Sequence, residues 1–347
     1  MPDITFQTVY LKKRHPLRIS RGVIAGGENL FVTVSDKGFF GIGEMAPGSS
    51  EGAATAEAGE KMLREFCKTR HLEDSIHQNW TNAINEGVAP CALAALDMAL
   101  WDLRARRSGM PLCEMLGLSR KAAPSSVTIG INPPEVVRER VPELLSLGAR
   151  ALKIKLGSPD GIEVDMDMYN AVLESCDDQN DVALRVDANG GWSPDDARQM
   201  MNWLAKRSCE YVEQPLPAGM EDQLPNLFAN RPLPVFVDES CRFSTDIPGF
   251  ADCVDGVNLK LMKCGGITEA LRIVATARAF GLKTMIGCMG ESSISIAAGA
   301  SIGALFDYID LDSHLNLDPD PAEGAPFTCG TTLPADRPGH GGILINA

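Results

Sequence analysis

Apolar and polar positions alternate along Asn29 to Glu44 as NLFVTV, break at Ser35-Asp36-Lys37-Gly38 and resume as FFGIGE, which predicts an antiparallel hairpin. The period then changes. From Cys91 the stretch CALAALDMALWDLRARRSG places apolar residues at i, i+3, i+4 and i+7 and stops at Gly109 with Pro111 beyond it, so an amphipathic helix is predicted around Trp101. Residues 1 to 122 therefore read as an α+β unit.

From about residue 125 short β-branched runs alternate with helical segments, the pattern of βα units on a parallel sheet. Eight runs can be counted: SSVTIGI (125 to 131), ALKIKL (151 to 156), DVALRVDA (181 to 188), CEYVEQP (209 to 215), PVFVDES (234 to 240), GVNLKLM (256 to 262), LKTMIGC (282 to 288) and YIDLDS (308 to 313). The helical segments PEVVRERVPELLSLG, SPDDARQMMNWLAKR and TEALRIVATARAFG lie between them, the first and last closing on glycine. Eight strands in this order predict a closed (β/α) barrel. The tail after Pro319 is rich in Pro and Gly and has no helical period, so it is expected to run back over the first region.

Charge inside these apolar runs changes the picture. Lys153 and Lys155, Asp187, Glu213, Asp238 and Lys260 stand at or near the ends of five successive runs, and Lys155, Asp187, Glu213, Asp238 and Lys260 are spaced by 32, 26, 25 and 22 residues. Each interval suits one βα repeat, and strand C-termini converge on the mouth of a barrel. Charges within strands are costly unless paired or metal-bound. Three carboxylates on adjacent strands form a hard, all-oxygen set that suits Mg²⁺. The histidines, His15, His71, His77, His314 and His340, fall away from this trio, which disfavours zinc. Lys155 and Lys260 would flank a carbon held between them, a two-base arrangement, and a neighbouring ammonium such as Lys153 together with the cation would lower a lysine's pKa toward working pH. A divalent cation would stabilise the enediolate formed when a proton α to a carboxylate is removed.

Each feature also has a plainer reading. A single acid at a strand end is usually a cap, and two lysines two residues apart are usually one solvated strand face. Lys263, three residues after Lys260, would point to the opposite face of a regular strand and is assigned to structure or loop. Gly265-Gly266 is a turn more often than a phosphate cradle.

Composition narrows the class of partner. The chain has 347 residues, 44% hydrophobic and 22% charged, enough for a large core and two domains. A formal charge of -14 argues against nucleic-acid backbones and anionic membrane surfaces. Ten cysteines without a CxxC pair read as buried reduced thiols. The N-terminal stretch MPDITFQTVYLKK has no signal-peptide h-region, and no apolar run reaches the length of a membrane span, so a soluble cytoplasmic protein is expected.

The segments ALDMALWDLRARRSGMPLCEMLG, KIK, RVDANGGW, VEQP, VDES and NLKLMKCGG together resemble the muconate-lactonising subgroup of the enolase superfamily across nearly the whole chain. The resemblance implies an α/β fold: a modified TIM (β/α)7β barrel over residues 123–319, with an α+β capping domain over 1–122 and the tail 320–347 packed on it. It also implies Mg²⁺ held by Asp187, Glu213 and Asp238, with Lys155 and Lys260 as the acid/base pair. Lys153 would tune Lys155, and Asn189 and Glu239 would orient the ligands and Lys260. Cycloisomerases, o-succinylbenzoate synthases, N-acylamino acid racemases and dipeptide epimerases share these groups. Asp310 and Asp312 form a DxD resembling the motif with which dipeptide epimerases hold the substrate's α-ammonium, so epimerisation of a dipeptide at its C-terminal residue is expected. In the same way Arg21, in the Gly-rich stretch RGVIAGG read as a loop, is expected to clamp an acidic side chain, and Thr128, Met289 and Glu291 to lie near the substrate. The remaining alternative is a metal-binding barrel without catalysis, which would not need paired lysines. A symmetric homo-oligomer is also implied.

Overall fold

The computed structural model of the protein describes residues 2–69, 72, 74–176 and 181–345; His71 lies outside them. Strands β1 (Asp3–Ile19), β2 (Gly22–Asp36) and β3 (Phe39–Met45) form an antiparallel sheet, with the expected turn at Lys37 and Gly38 between β2 and β3. The stretch expected as a Gly-rich loop is instead the start of β2, because Gly22, Val23 and Ile24 pair with Ile19, Arg18 and Leu17 of a strand the pattern did not reveal. Beside the sheet lie helices α1 (Ala56–Thr69), α2 (Ile76–Asn85), α3 (Pro90–Ser108) and the one-turn α4 (Leu112–Met115).

Helix α3 corrects the sequence reading more substantially. It is buried on nearly all sides, with 13 of its 19 residues enclosed, so its pattern is that of an interior helix rather than an amphipathic one. One side receives β3 at very close range: a Cβ at Gly41 or Gly43 would stand 2.1 Å from Ala99 O or 2.0 Å from Ala95 O, so only glycine lets strand backbone reach helix backbone there. The other side meets the barrel, where Trp101 Nε1 donates to Thr268 Oγ1.

Eight parallel strands follow: β4 (Ser126–Ile129), β5 (Ala151–Lys155), β6 (Ala183–Asp187), β7 (Cys209–Glu213), β8 (Val235–Val237), β9 (Gly256–Lys260), β10 (Lys283–Gly287) and β11 (Tyr308–Asp310). They pair in sequence order, and a parallel bridge between Ser125 and Ile309 brings the last back to the first. All eight expected runs are strands, each shorter than its apolar stretch. The connections carry α5 (Pro134–Ser146), α6 (Ile162–Cys176), α7 (Pro194–Leu204), α8 (Leu224–Phe228), the short α9 (Leu261–Cys264), α10 (Ile267–Ala279) and α11 (Ser293–Ser301); between β8 and β9 a 3₁₀ turn, Ser244–Gly249, takes the helix's place. No described helix is long and apolar enough to cross a membrane.

The tail touches both parts of the molecule. Pro111 bridges Gly339, His340 Nε2 meets Ile42 O at 2.7 Å, and Ser293 Oγ at the start of α11 donates to Asp320 at 2.6 Å. The ten cysteines are unpaired, yet only six are buried: Cys67, Cys176 and Cys288 are half-buried, and Cys329 is exposed in the tail's β-turn.

Candidate active site at the barrel mouth

Strand register builds the site. Lys155 pairs with Asp187 and Asp187 with Glu213 across β5, β6 and β7, while Lys260 pairs with Gly287 and Gly287 with Asp310 across β9, β10 and β11. Asp238 follows directly on β8. These side chains therefore end one rung of the barrel at its C-terminal face, where such folds carry their chemistry. Asp187, Glu213 and Asp238 are fully buried and offer oxygens that all lie within 4.8 Å of one another. The two lysines stand on either flank, Lys155 Nζ 2.5 Å from Asp187 Oδ2 and Lys260 Nζ 2.7 Å from Asp238 Oδ2.

Lys153 joins groups from three other strands. Its buried ammonium lies 2.5 Å from Asp310 Oδ2, 2.9 Å from Glu213 Oε2 and 3.1 Å from Asp187 Oδ2, so it joins the acidic trio to the DxD. Burial would lower its pKa, but Asp310, Glu213 and Asp187 outweigh burial and hold it well above the usual lysine range. Lys260 behaves alike: desolvation is overcome by Asp238, and its pKa is raised. Around Lys153 and Lys260 the protein's acids thus outweigh desolvation and favour the protonated ammonium. Desolvation works against ionisation of Asp187 and Asp238 too, yet Lys155 and Lys260 respectively bring both below the usual carboxylate range. Glu213 goes the other way, pushed up to about 8 by burial and by Asp187.

Sequence reasoning missed four residues that hold this rung in place. Lys263 does not continue a strand, because the chain turns into α9 at Leu261; its buried ammonium donates to Asp238 Oδ1 at 2.5 Å, to Asn258 O at 2.9 Å and Cys241 O at 3.1 Å, and to Asp238 O. Asn258 Nδ2 donates to Glu213 Oε1 at 2.7 Å. Gln214 Oε1 accepts from Asp238 N at 2.8 Å. Gly287 occupies the rung position next to Lys260, where a Cβ would stand 3.2 Å from Lys260 Cε and 3.0 Å from Asn258 Nδ2. Of these, Asn258 had a signal: it is a polar residue on an apolar strand, two positions before Lys260 and so on the same face.

Other expected residues divide into those at the mouth and those beside it. Asn189 Nδ2 bonds Asp187 Oδ2 and Glu239 Oε1, both at 3.2 Å, so Asn189 and Glu239 do flank the trio. Arg21 lines the cavity above the mouth and closes the turn between β1 and β2 onto the barrel by donating to Glu239 Oε1 at 2.7 Å and Asn189 O at 3.0 Å. Asp312 Oδ2 accepts from Thr128 N at 2.6 Å, and Glu291 Oε1 from Met289 N at 2.7 Å. Of these last four, Met289 lines the cavity that the capping strands and the barrel mouth enclose, about 1170 Å³ in volume.

Eight buried side-chain nitrogens and oxygens make no hydrogen bond among the described residues, and five are oxygens of this region: Asn189 Oδ1, Glu239 Oε2, Asn258 Oδ1, Asp310 Oδ1 and Glu213 Oε2, the last met by the Lys153 ammonium as an ion pair at 2.9 Å. Unsatisfied acceptors elsewhere in a core are rare, so their concentration here marks a place built to receive positive charge. A cation preferring oxygen fits Asp187, Glu213 and Asp238, and no described histidine or cysteine competes.

Two family models match the chain: the mandelate racemase / muconate lactonizing enzyme N-terminal domain over residues 3–117, and the enolase C-terminal domain-like model over residues 136–344. A hydrophobic dipeptide epimerase from Roseobacter litoralis is 70% identical over 344 residues, 99% of either chain. A hydrophobic dipeptide epimerase from a Flavobacteria bacterium is 58% identical, covering 98% of this chain and 97% of its own. Among solved structures, a dipeptide epimerase from Methylococcus capsulatus, complexed with Mg and L-Arg-D-Lys, superposes with a TM-score of 0.87 at 34% identity, covering 99% of both chains. Barrel, cap, acidic trio and paired lysines together place the chain in the enolase superfamily, within the mandelate racemase / muconate lactonizing enzyme family.

Proposed function

We propose that the protein is a magnesium-dependent dipeptide epimerase that inverts the α-carbon of the C-terminal residue and prefers apolar side chains. The observation that carries this reading is the rung itself, with two lysines on opposite flanks of a carboxylate trio. Lys155 and Lys260 are the acid/base pair: one removes the α-proton from its face and the other returns a proton to the opposite face, which inverts the centre. Asp187, Glu213 and Asp238 would hold the magnesium ion, which when bound supplies the positive charge that makes a proton next to a carboxylate acidic enough to remove. Lys263, Asn258 and Gln214 keep these carboxylates aimed, so little reorganisation is needed during the reaction.

Asp310 supports a substrate ammonium at β11. Its Oδ2 goes to Lys153, while its buried Oδ1 has no donor. Asp312, two residues on, is a second buried carboxylate, bonded by Thr128 N. An N-acylated amino acid would leave Asp310 Oδ1 unsatisfied, a penalty a free amine removes. The preference for apolar side chains follows from the cavity wall. Leu11, Leu17, Ile19, Val23, Ile24 and Leu317 line it, and Arg21, which would attract an acidic side chain, is already committed to Glu239. Both curated relatives above carry the same preference in their names.

Purified protein with Mg²⁺ and a library of L,L-dipeptides in D₂O tests the proposal by mass spectrometry. Deuterium should enter the C-terminal α-position, with L,D product accumulating and apolar members turning over fastest. Fastest turnover of N-succinyl amino acids, or no exchange in any dipeptide, would contradict it.

A further inference from the structure

Six charged donors line the cavity: Lys13, Arg21, Lys155, Arg242, Lys260 and Lys263. Five are committed to carboxylates, Arg21 to Glu239, Lys155 to Asp187, Arg242 to Glu51, and Lys260 and Lys263 to Asp238. Lys13 alone has no hydrogen-bond or ion-pair partner among the described residues, although it is only 7% exposed. The buried carboxyl of Glu291 is near enough to feel the Lys13 charge but accepts no hydrogen bond from it, so the ammonium's donors remain unmatched.

The lysine is held firmly. Where β1 breaks its register with β2, between Lys12 and Leu17, the strand is stapled instead to the segment that follows β11. Lys13 bridges Leu317, Asp318 N donates to Lys12 O at 2.9 Å, and His15 and Asn316 exchange bonds of 2.9 and 2.8 Å. This carries Nζ over the loop after β10, 3.9 Å from where a Cβ on Gly290 would stand. Strand β10 lies between β9, which bears Lys260, and β11, which bears Asp310.

On the reading above, a dipeptide places its reacting α-carbon by Lys260 and its ammonium by Asp310. The part spanning β10 is then the peptide link. In a dipeptide with apolar side chains, the only acceptor left after the carboxylate is bound is the peptide carbonyl oxygen. We infer that the Lys13 ammonium is the donor that holds that carbonyl, making Lys13 a substrate-binding residue contributed by the capping strand β1. This inference rests on the proposed dipeptide reaction and adds to it a contact that fixes the link between the two ends.

The test pairs a substrate change with a residue change. L-Ala-L-Leu is compared with its thioamide analogue, whose sulfur is a poorer acceptor, on the wild-type enzyme and on Lys13→Met, with Lys13→Arg as a conservative variant. Wild type should show KM about tenfold higher for the thioamide, in line with losing one charged hydrogen bond. Lys13→Met should raise KM about tenfold for the ordinary dipeptide and be nearly indifferent to sulfur, while Lys13→Arg restores discrimination. Because Lys13 has no partner to lose, the thermal midpoint of Lys13→Met should not fall. An equal sulfur penalty in wild type and Lys13→Met, or a lowered midpoint in Lys13→Met, would overturn the assignment while turnover persists. Absence of turnover in the wild type would instead overturn the reading of the whole site, and this contact with it.

Discussion

Two regions of the molecule bury carboxylates, and they treat them in opposite ways. At the joint between cap and barrel, Glu44 is fully buried, but its two oxygens accept from Asn29 Nδ2, from Ser292 N and Oγ, and from Ser295 N at 2.7 to 3.1 Å. Asp102 is likewise met by Ile42 N, Arg106 Nε and His340 N. At the mouth, Asp310 and Glu239 each keep an oxygen without a hydrogen-bond partner. The joint satisfies its acids with backbone, hydroxyl, amide and guanidinium donors and so becomes architecture. The mouth answers its acids with lysines and leaves acceptors over, so it stays open to a cation and a substrate. Acceptor surplus, rather than burial or charge, separates the two.

That contrast can be broken most severely at the bases. Replacing Lys260 with Ala should lower kcat for epimerisation by about 10³-fold, near the upper part of what a positioned acid or base supplies, with little change in thermal midpoint. Glu44→Ala should do the reverse. It strands buried N–H groups at the start of α11, costing about 3 kcal/mol of stability, visible as a lower midpoint in calorimetry. A Glu44→Ala protein as stable as wild type would remove the distinction drawn here.

Lys263 sharpens the comparison because it is a joint-like group inside the mouth: every acceptor around it is satisfied. Lys263→Met should weaken Mn²⁺ or Mg²⁺ binding by about 10- to 100-fold, measured by calorimetric titration, since Asp238 would lose the contact that orients it. Unchanged affinity would show that Asp238 needs no such support.

A pH-dependent readout belongs to Asp97, another acid of the joint, which takes bonds from Thr268 N and Oγ1 at 3.0 and 2.5 Å. Burial pushes its pKa up to about 7, above an ordinary carboxyl value of 3.8. A carboxyl raised in this way holds its proton longer in the folded state. Its contribution is therefore fully present below about pH 4 and is lost as pH rises through 7. Asp97→Asn should flatten the dependence of thermal midpoint on pH between 4 and 7; an unaltered slope would place the titration elsewhere.

Much of the mouth was legible because one residue per strand, spaced by one βα repeat, survives as a pattern along the chain. Lys155, Asp187, Glu213, Asp238 and Lys260 are of this kind. What stayed hidden depends on contacts between distant segments. Strand β1 pairs through a hairpin whose Gly-rich side looked like a loop, and the buried surroundings of α3 come from both cap and barrel. The sequence assigns Lys263 to structure or loop, but its contact with Asp238 stayed hidden because the run reads as strand through Met262; once the chain becomes helical at Leu261, a three-residue spacing returns the side chain to Asp238. That Lys153 reaches Asp187, Glu213 and Asp310 at once shows only in three dimensions. Arg21 was placed by motif, but its partner, Glu239, is 218 residues away.

The most direct test of two-base inversion at this mouth is single-variant hydrogen exchange in D₂O with Mg²⁺, starting separately from an L,L- and an L,D-dipeptide. Lys155→Ala and Lys260→Ala should each lose inversion, and each should still exchange the α-hydrogen of one epimer, a different epimer for the two variants. Continued inversion by either variant, or exchange of the same epimer by both, would contradict the placement of the reacting carbon between Lys155 and Lys260.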